Sequence, residues 1–392
     1  MLRSASHFGA VSRELPKLTR RRLFHNRHSA SSHLRRRPWS CKQLAMADSR
    51  PGRLYAISDV HSDFEDNLVW LRGLSRTAYT HDALIVAGDV SDDTAVLEAT
   101  LQECTERFSS VVFVPGNHDV WVKRKASTAS ANSFTKLREL QALCARLGVH
   151  TRPTVLFGGQ AEATPVLVVP LLSWYNAAFD TEPPVPLLDV PSARKVMTDF
   201  AACSWPSGVD DSTDDVARLW DCANDEDWAS VGFDAEDAAS RRLAPHVVAV
   251  SHFLPTIELI PEKRFLFFPN LTQAVGSTFL KSRVASLRPD VHVFGHTHFA
   301  YDIVLDDGVR YIQAALAYPH ERQSRMSTLQ IGEIHAQPVL IYDSAGAGSW
   351  APPYRCRWSD YYSAHPRQPH SAEIPSWVSK RYRRKEQTRT IV

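Results

Sequence analysis

Five short apolar runs, each ending abruptly in polar residues, constrain this chain more than any other feature. Leu54–Ile57 runs through Ser58 into Asp59-Val60-His61. Ala83–Ala87 runs into Gly88-Asp89, and Val111–Val114 into Pro115-Gly116-Asn117-His118-Asp119. Farther on, His246–Val250 leads to Ser251-His252, and Val291–Phe294 to Gly295-His296-Thr297-His298. Unbroken apolar runs of this length, bounded by turn residues, read as buried strands. Helical patterns separate the first three: Phe64 to about Ser75, with Leu68, Leu71 and Leu74 on one face, and Asp93 to Arg107. A third helix is predicted from Ser133 to Leu147, burying Phe134, Leu137, Leu140, Leu143 and Leu147 around the core residue Cys144, with Gly148 as its stop. Strand and helix in alternation, joined by short connections, imply an α/β fold. Its mainly parallel sheet should carry the site at the strands' carboxyl ends. Alternation along an extended backbone is expected to put Asp59 and His61 on the same side.

The remaining sequence sets the boundaries. The chain has 392 residues, 44% of them hydrophobic, enough for one large domain or two small ones. Residues 1 to about 46 are rich in Arg and Ser, with Glu14 as their one acid. That composition fits a mitochondrial or plastid transit peptide, a disordered basic arm, or an extension upstream of a start at Met46. On each reading the first 50 residues carry no fold. Residues 174–244, rich in Trp, Asp and Pro, are expected to form an inserted acidic cap of short helices and loops. Tyr301 to Ile341 alternates as antiparallel strands do, with a hairpin turn at Asp306-Asp307-Gly308. The tail from 349 to 392 is expected to wrap the surface or to be disordered, its basic stretch Lys380 to Arg389 solvated. The six cysteines form no C-x-x-C pair, so reduced thiols and an intracellular address, organellar or otherwise cytoplasmic, are expected. No apolar run reaches the length of a membrane span.

The five polar tips together offer Asp59 and His61, Asp89, Asn117 with His118, His252, and His296 with His298 as candidate metal ligands. Mixed carboxylate, imidazole and amide ligation suits first-row divalent ions such as Mn, Fe or Zn. Asp89 has two carboxylate oxygens and can bridge two ions. Two ions about 3.5–4 Å apart form a clamp for in-line attack on phosphorus. Singly, each residue has an ordinary explanation: Asp59 could cap a helix, and Asn117 could sit in a turn. Five such tips in one order are not explained that way.

These five blocks resemble the motifs of the calcineurin-like metallophosphoesterase superfamily over residues 54 to about 345, the cap excepted. The resemblance implies a two-sheet β-sandwich flanked by helices in four α/β/β/α layers, a domain spanning 51–348. It also implies one metal site of Asp59, His61, Asp89 and His298, and a second of Asp89, Asn117, His252 and His296. A hydroxide bridging the two divalent ions would attack the phosphorus of a phosphomonoester or phosphodiester. His118 would then protonate the leaving oxygen or stabilise charge on the phosphoryl group, as an imidazole can near neutral pH. Asp92 matches a position that orients this histidine in the phosphoprotein phosphatase branch, with Asp119 and Asp93 as rival partners. That branch has Asp-Arg-Gly and Gly-Asn-His-Glu where this chain has Asp92-Asp93-Thr94 and a block ending in Asp119. The implied partner is a phosphorylated small molecule or phosphopeptide. The acidic cap disfavours extended nucleic acid, which needs a basic track. A metal-binding scaffold without catalysis and a nuclease or nucleotide phosphodiesterase are the competing readings. Trp174, Tyr175, Phe253, His320 and Arg322 are candidate pocket residues, with core packing as the alternative for the aromatics.

Overall fold

The computed structural model describes residues 46–47, 50–122, 130–158, 162–187, 189–237, 240, 243–322 and 337–389. The targeting expectation for the basic N-terminus therefore lies outside the described residues. In chain order the strands are β1 (Met46–Ala47), β2 (Arg53–Ile57), β3 (Ala83–Val86), β4 (Ser110–Phe113), β5 (Thr154–Leu156) and β6 (Val166–Pro170). They continue with β7 (His246–Val250), β8 (Val291–Phe294), β9 (Tyr301–Val304), β10 (Arg310–Gln313), β11 (Val339–Asp343) and β12 (Ser349–Trp350). The first helices are α1 (Glu65–Gly73), α2 (Thr94–Thr105), α3 (Ser133–Leu147), α4 (Ala193–Val196) and α5 (Asp199–Ala202). After them come α6 (Asp215–Ser230), α7 (Thr278–Leu287), α8 (Arg357–Ala364) and α9 (Ser376–Arg389).

The strands form two sheets, ordered β1-β5-β6-β7-β8-β10-β9 and β12-β11-β2-β3-β4. The period-two alternation of each strand decides what its two faces meet. Leu54, Ala56, Ala83, Ile85 and Val112 face inward and pack with Val166, Val168, Val248, Val250, Val291 and Val293 of the other sheet. Their neighbours Tyr55, Ile57, Leu84, Val86, Val111 and Phe113 share a second cluster with Leu71, Leu97, Leu101, Leu137 and Leu140 of α1, α2 and α3. Beyond the larger sheet, Phe294, Tyr301 and Tyr311 pack with Leu254, Leu259 and Trp358. This is the helix-flanked two-sheet sandwich that the resemblance implies.

Parallel pairing of β2, β3 and β4, and of β6, β7, β8 and β10, sends their carboxyl ends the same way within each sheet. The two sheets are also stitched together at that end. Ser58 N–H donates to Ala314 O at 3.0 Å, Leu316 N–H to Ser58 O at 2.9 Å, and Ala317 N–H to Asp59 O at 3.0 Å. The chain leaving β10 thus pairs with the chain leaving β2.

Local rules account for most boundaries. Asp93 caps α2 by accepting from Ala95 N–H at 2.9 Å, and Asn132 caps α3 by accepting from Thr135 N–H at 2.8 Å. Gly148, at φ 74°, closes α3 in the left-handed conformation. Cys144 is fully buried, as its place on the α3 stripe requires.

Two stretches differ from the sequence reading, and a third, the tail, takes the ordered one of its two expected forms. Strand β1, inside the first 50 residues, pairs in parallel with β5. The stretch between β6 and β7 holds a 16-residue helix, α6, longer than the short helices expected. Its acids do more than face water: Asp221 and Asp225 bind Arg283 of α7, and Glu226 and Asp227 bind Arg138 of α3. Trp220, on the same helix, is fully buried. The C-terminal tail is ordered as β12, α8 and α9 and buries Cys356, Trp358, Val378 and Tyr382. The helix α9 continues through its basic stretch.

Candidate metal centre

The expected ligands meet where the carboxyl ends of the two sheets converge. Asp59, His61, Asp89 and His298 offer ligand atoms all within 4.8 Å of one another, and Asp89, His252 and His296 form a second such group. Asn117 joins the second, its Oδ1 lying 3.0 Å from both His252 Nε2 and His296 Nδ1. Asp89 is common to both groups and divides its oxygens between them. Its Oδ1 is 3.4 Å from His252 Nε2, and its Oδ2 is 4.0 Å from His61 Nε2.

The backbone explains this convergence, and it is not the strand alternation inferred from sequence. Strand β2 stops at Ile57, and Asp59 and His61 have φ of 52° and 43°. Asp89, His296 and His298 are also left-handed, at 55°, 75° and 55°. Non-glycine residues rarely adopt this region, and strained backbone concentrates at functional sites. Side chains thus turn inward one after another from tight loops. Close approach also requires glycine at position 116, where a Cβ would lie 2.2 Å from Asp89 Oδ1.

A surrounding shell fixes which atom of each ligand faces the centre. Ala87 O accepts from His252 Nδ1 at 2.9 Å, and Ala274 O accepts from His296 Nε2 at 3.0 Å. A carbonyl can only accept, so it holds a proton on that nitrogen and leaves the opposite ring nitrogen to face inward. Glu321 Oε2 lies 2.5 Å from His298 Nδ1, leaving Nε2 to face His61 Nε2 at 3.0 Å. Asn117 Nδ2–H donates to Asp199 Oδ1 at 2.8 Å, so the amide oxygen points inward. Asp119 accepts from the amides of Asp89, Val90, Ser91 and Gly116, which pins the second and third loops together.

The electrostatics fit two cations. Burial disfavours charge on Asp59, but His298 beside it outweighs burial and holds the carboxyl at about 2. Burial also opposes charge on His298, yet Asp59 and Glu321 push that imidazole up to about 10. Burial against Asp89 gives the same outcome at His252, pushed up to about 9. Burial keeps His61 well below its ordinary value and holds His296 down at about 3. Each group therefore draws in one positive charge while keeping neutral imidazoles beside it. This donor set fits a divalent ion in each group.

His118 stands beside the ligands. Its Nε2 is 3.8 Å from Asp89 Oδ2 and 3.3 Å from the Tyr318 hydroxyl, and its ring packs on Trp121 at 3.7 Å. Burial and the nearby Asp89 push the Tyr318 phenol upward, so it stays protonated. Asp93 and Asp119, the rival partners for His118, are taken up by the α2 cap and the four amides. The Asp92 carbonyl accepts from Lys136 Nζ at 2.8 Å, which fixes the loop that carries this carboxylate.

Among the candidate pocket residues, Trp174, Tyr175 and Phe253 belong to the buried core. His320 stacks on Tyr318, and Arg322 donates to Asn67 Oδ1 and to the Leu316 and Ala317 carbonyls. Asp199, Tyr318 and Glu321 escape the sequence reading because no motif marks them. Two follow the fifth block by some twenty residues, and Asp199 lies in the stretch between β6 and β7.

Asp199→Ala is expected to weaken metal binding at the Asn117 group by about 10- to 100-fold, the usual cost of removing an outer partner. Titration of the purified protein with Mn, followed by calorimetry, measures this directly.

A family model described as calcineurin-like phosphoesterase matches residues 52–300. The acyl-carrier-protein phosphodiesterase PptH of Mycobacterium tuberculosis is 24% identical over 274 residues, covering 69% of this chain and 80% of that protein. The crystal structure of phosphopantetheinyl hydrolase (PptH) from Mycobacterium tuberculosis aligns with a TM-score of 0.52 at 23% identity, covering 72% of this chain and 95% of that one. TT1561 of Thermus thermophilus aligns at a TM-score of 0.36 and 14% identity, over 68% of this chain and 90% of that one.

Proposed function

The chain belongs to the calcineurin-like phosphoesterase family, and from that premise we propose that it hydrolyses a phosphodiester or phosphomonoester at a dinuclear metal centre. One observation carries the reading: Asp89 turns one oxygen toward each ligand group, with His118 3.8 Å from Oδ2. Asp59, His61, Asp89 and His298 would hold one divalent ion, and Asp89, Asn117, His252 and His296 the other. Ions bound there supply an activated water and neutralise the phosphate oxygens.

The remaining chemistry belongs to side chains of this chain. His118, its side chain 17% exposed, meets the cavity and can pass a proton to the departing oxygen. The Tyr318 hydroxyl and the Trp121 ring hold that imidazole in place. Asp92, on the loop after Asp89, is the candidate to orient it. A diester is favoured over a monoester by the mycobacterial relative, whose name describes a phosphodiesterase of acyl carrier protein. Mn, Fe and Zn are the candidate metals on ligand chemistry. No helix among the described residues is long and apolar enough to cross a membrane. An intracellular address, mitochondrial or plastid if the N-terminus is a targeting segment, goes with this reading.

The test is a panel of phosphomonoesters and phosphodiesters, including a carrier-protein diester, with Mn, Fe/Zn and Mg compared. Metal-dependent turnover of a diester, abolished by a chelator and restored by metal, is the expected result. No turnover of any ester by metal-loaded protein would leave the scaffold reading in its place.

A further inference from the structure

The metal ligands form one end of a cavity of about 630 Å³ whose other walls are mainly aromatic and aliphatic. Asp89, Asn117, His118, His296 and His298 line it, and it runs outward past Phe265–Phe268, Phe299, Trp358 and Trp377 to Arg381. The outer wall is built by the C-terminal tail. Trp377 stacks on Phe265 with ring centres 6.3 Å apart, and its Nε1–H donates to Phe265 O at 3.3 Å. The Tyr382 hydroxyl donates to Phe267 O at 3.0 Å, and Arg381 lies 4.3 Å over the Phe268 ring.

Two features show that this wall is more than core. Phe267 and Trp377 are 47% and 38% exposed, two of the five large apolar side chains most open to solvent among the described residues. Exposed apolar surface gathered at one place marks a binding surface. It is also continuous with the candidate metal ligands, so a group lying along it can be joined to a phosphate at that centre. Its acids are engaged at the centre: Asp199 with Asn117 and Trp121, and Glu321 with His298. Histidines aside, Arg381 is the basic side chain among its described lining residues, at the outer end. A polyanion would find no row of cations here.

We propose that this groove, walled by Phe265–Phe268 and the C-terminal Trp377, binds the organic substituent of the substrate, an elongated, uncharged and mainly apolar ester arm. The proposal rests on the phosphodiester reading above and names the class of diester it takes. The arm lies along the aromatic wall while the phosphate sits on the metals. Affinity therefore grows with arm length, by about fourfold for each methylene fully buried.

A series of p-nitrophenyl alkyl phosphates, from methyl through butyl to octyl, tests this with Mn-loaded full-length protein. kcat/KM is expected to rise at least tenfold from methyl to octyl. Phe267→Ser and Trp377→Ala change exposed side chains and should stay folded by circular dichroism. Both are expected to flatten the rise, cutting the octyl-to-methyl ratio by about fivefold or more. Equal hydrolysis of all three esters by the unaltered protein overturns the groove and leaves the phosphodiesterase reading standing. A rise that persists in both folded variants overturns the assignment to this wall. Failure to hydrolyse any of the three overturns the phosphodiesterase reading and the groove with it.

Discussion

Asp89→Asn is expected to abolish phosphoester hydrolysis while the protein stays folded. Asp89 is the one side chain shared by both ligand groups, and it is 1% exposed. The amide keeps the shape of the carboxylate and can still accept from His118 N–H, which Asp89 Oδ1 does at 2.9 Å. It cannot give one anionic oxygen to each of two cations. The loss should be on the order of 10³-fold or more in kcat/KM, the scale set by removing one preorganised electrostatic group from a buried site. Metal content should fall from two ions per chain. Elemental analysis after desalting, beside circular dichroism and kinetics, separates loss of the centre from loss of the fold. Wild-type turnover by a metal-loaded variant would remove Asp89 from the mechanism.

His118→Asn has the second-largest expected effect, and its signature is different. The ligand set is untouched, so two ions should still bind. An alkoxide leaves poorly without a proton, and kcat for alkyl esters should fall by about 10²- to 10⁴-fold. A nitrophenolate leaves without a proton, so kcat for the corresponding aryl ester should fall much less. This dependence on the leaving group tests proton donation in particular. An equal fall for both esters would point instead to stabilisation of charge on the phosphoryl group. The Tyr318 hydroxyl, 3.3 Å from His118 Nε2, belongs to the same arrangement.

What the sequence made legible follows from how local each signal is. The strands β7 and β8 and the helix α3 begin and end where their apolar patterns do, because burial and capping are decided within a few residues. The seven expected ligand residues are brought together for a similar reason: each lies within four residues of a strand's end, and the topology carries the strand ends to one place. The manner of convergence is not legible. Asp59 and His61 meet their partners through left-handed loop conformations, which residues other than glycine do not advertise. Asp199, Tyr318 and Glu321 touch site residues far away in sequence: Asp199 is 82 residues from Asn117, Tyr318 is 200 from His118, and Glu321 is 23 from His298. No periodicity encodes such pairs. The tail's choice between wrapping the surface and disorder is not legible either. Its Trp and Tyr residues have no repeating pattern, yet Trp358, Trp377 and Tyr382 each find a place against the 265–268 segment or the core beside it. Their order comes from tertiary packing, which also forms the outer wall of the cavity.

The central claim is that two divalent ions share Asp89. Crystals of the Mn-loaded protein, measured at the Mn absorption edge, test it most directly. Two anomalous peaks about 3.5–4 Å apart are expected, one among Asp59, His61 and His298, the other among Asn117, His252 and His296, with Asp89 between them. A single peak, or two peaks away from Asp89 in protein that still hydrolyses phosphoesters, would contradict it.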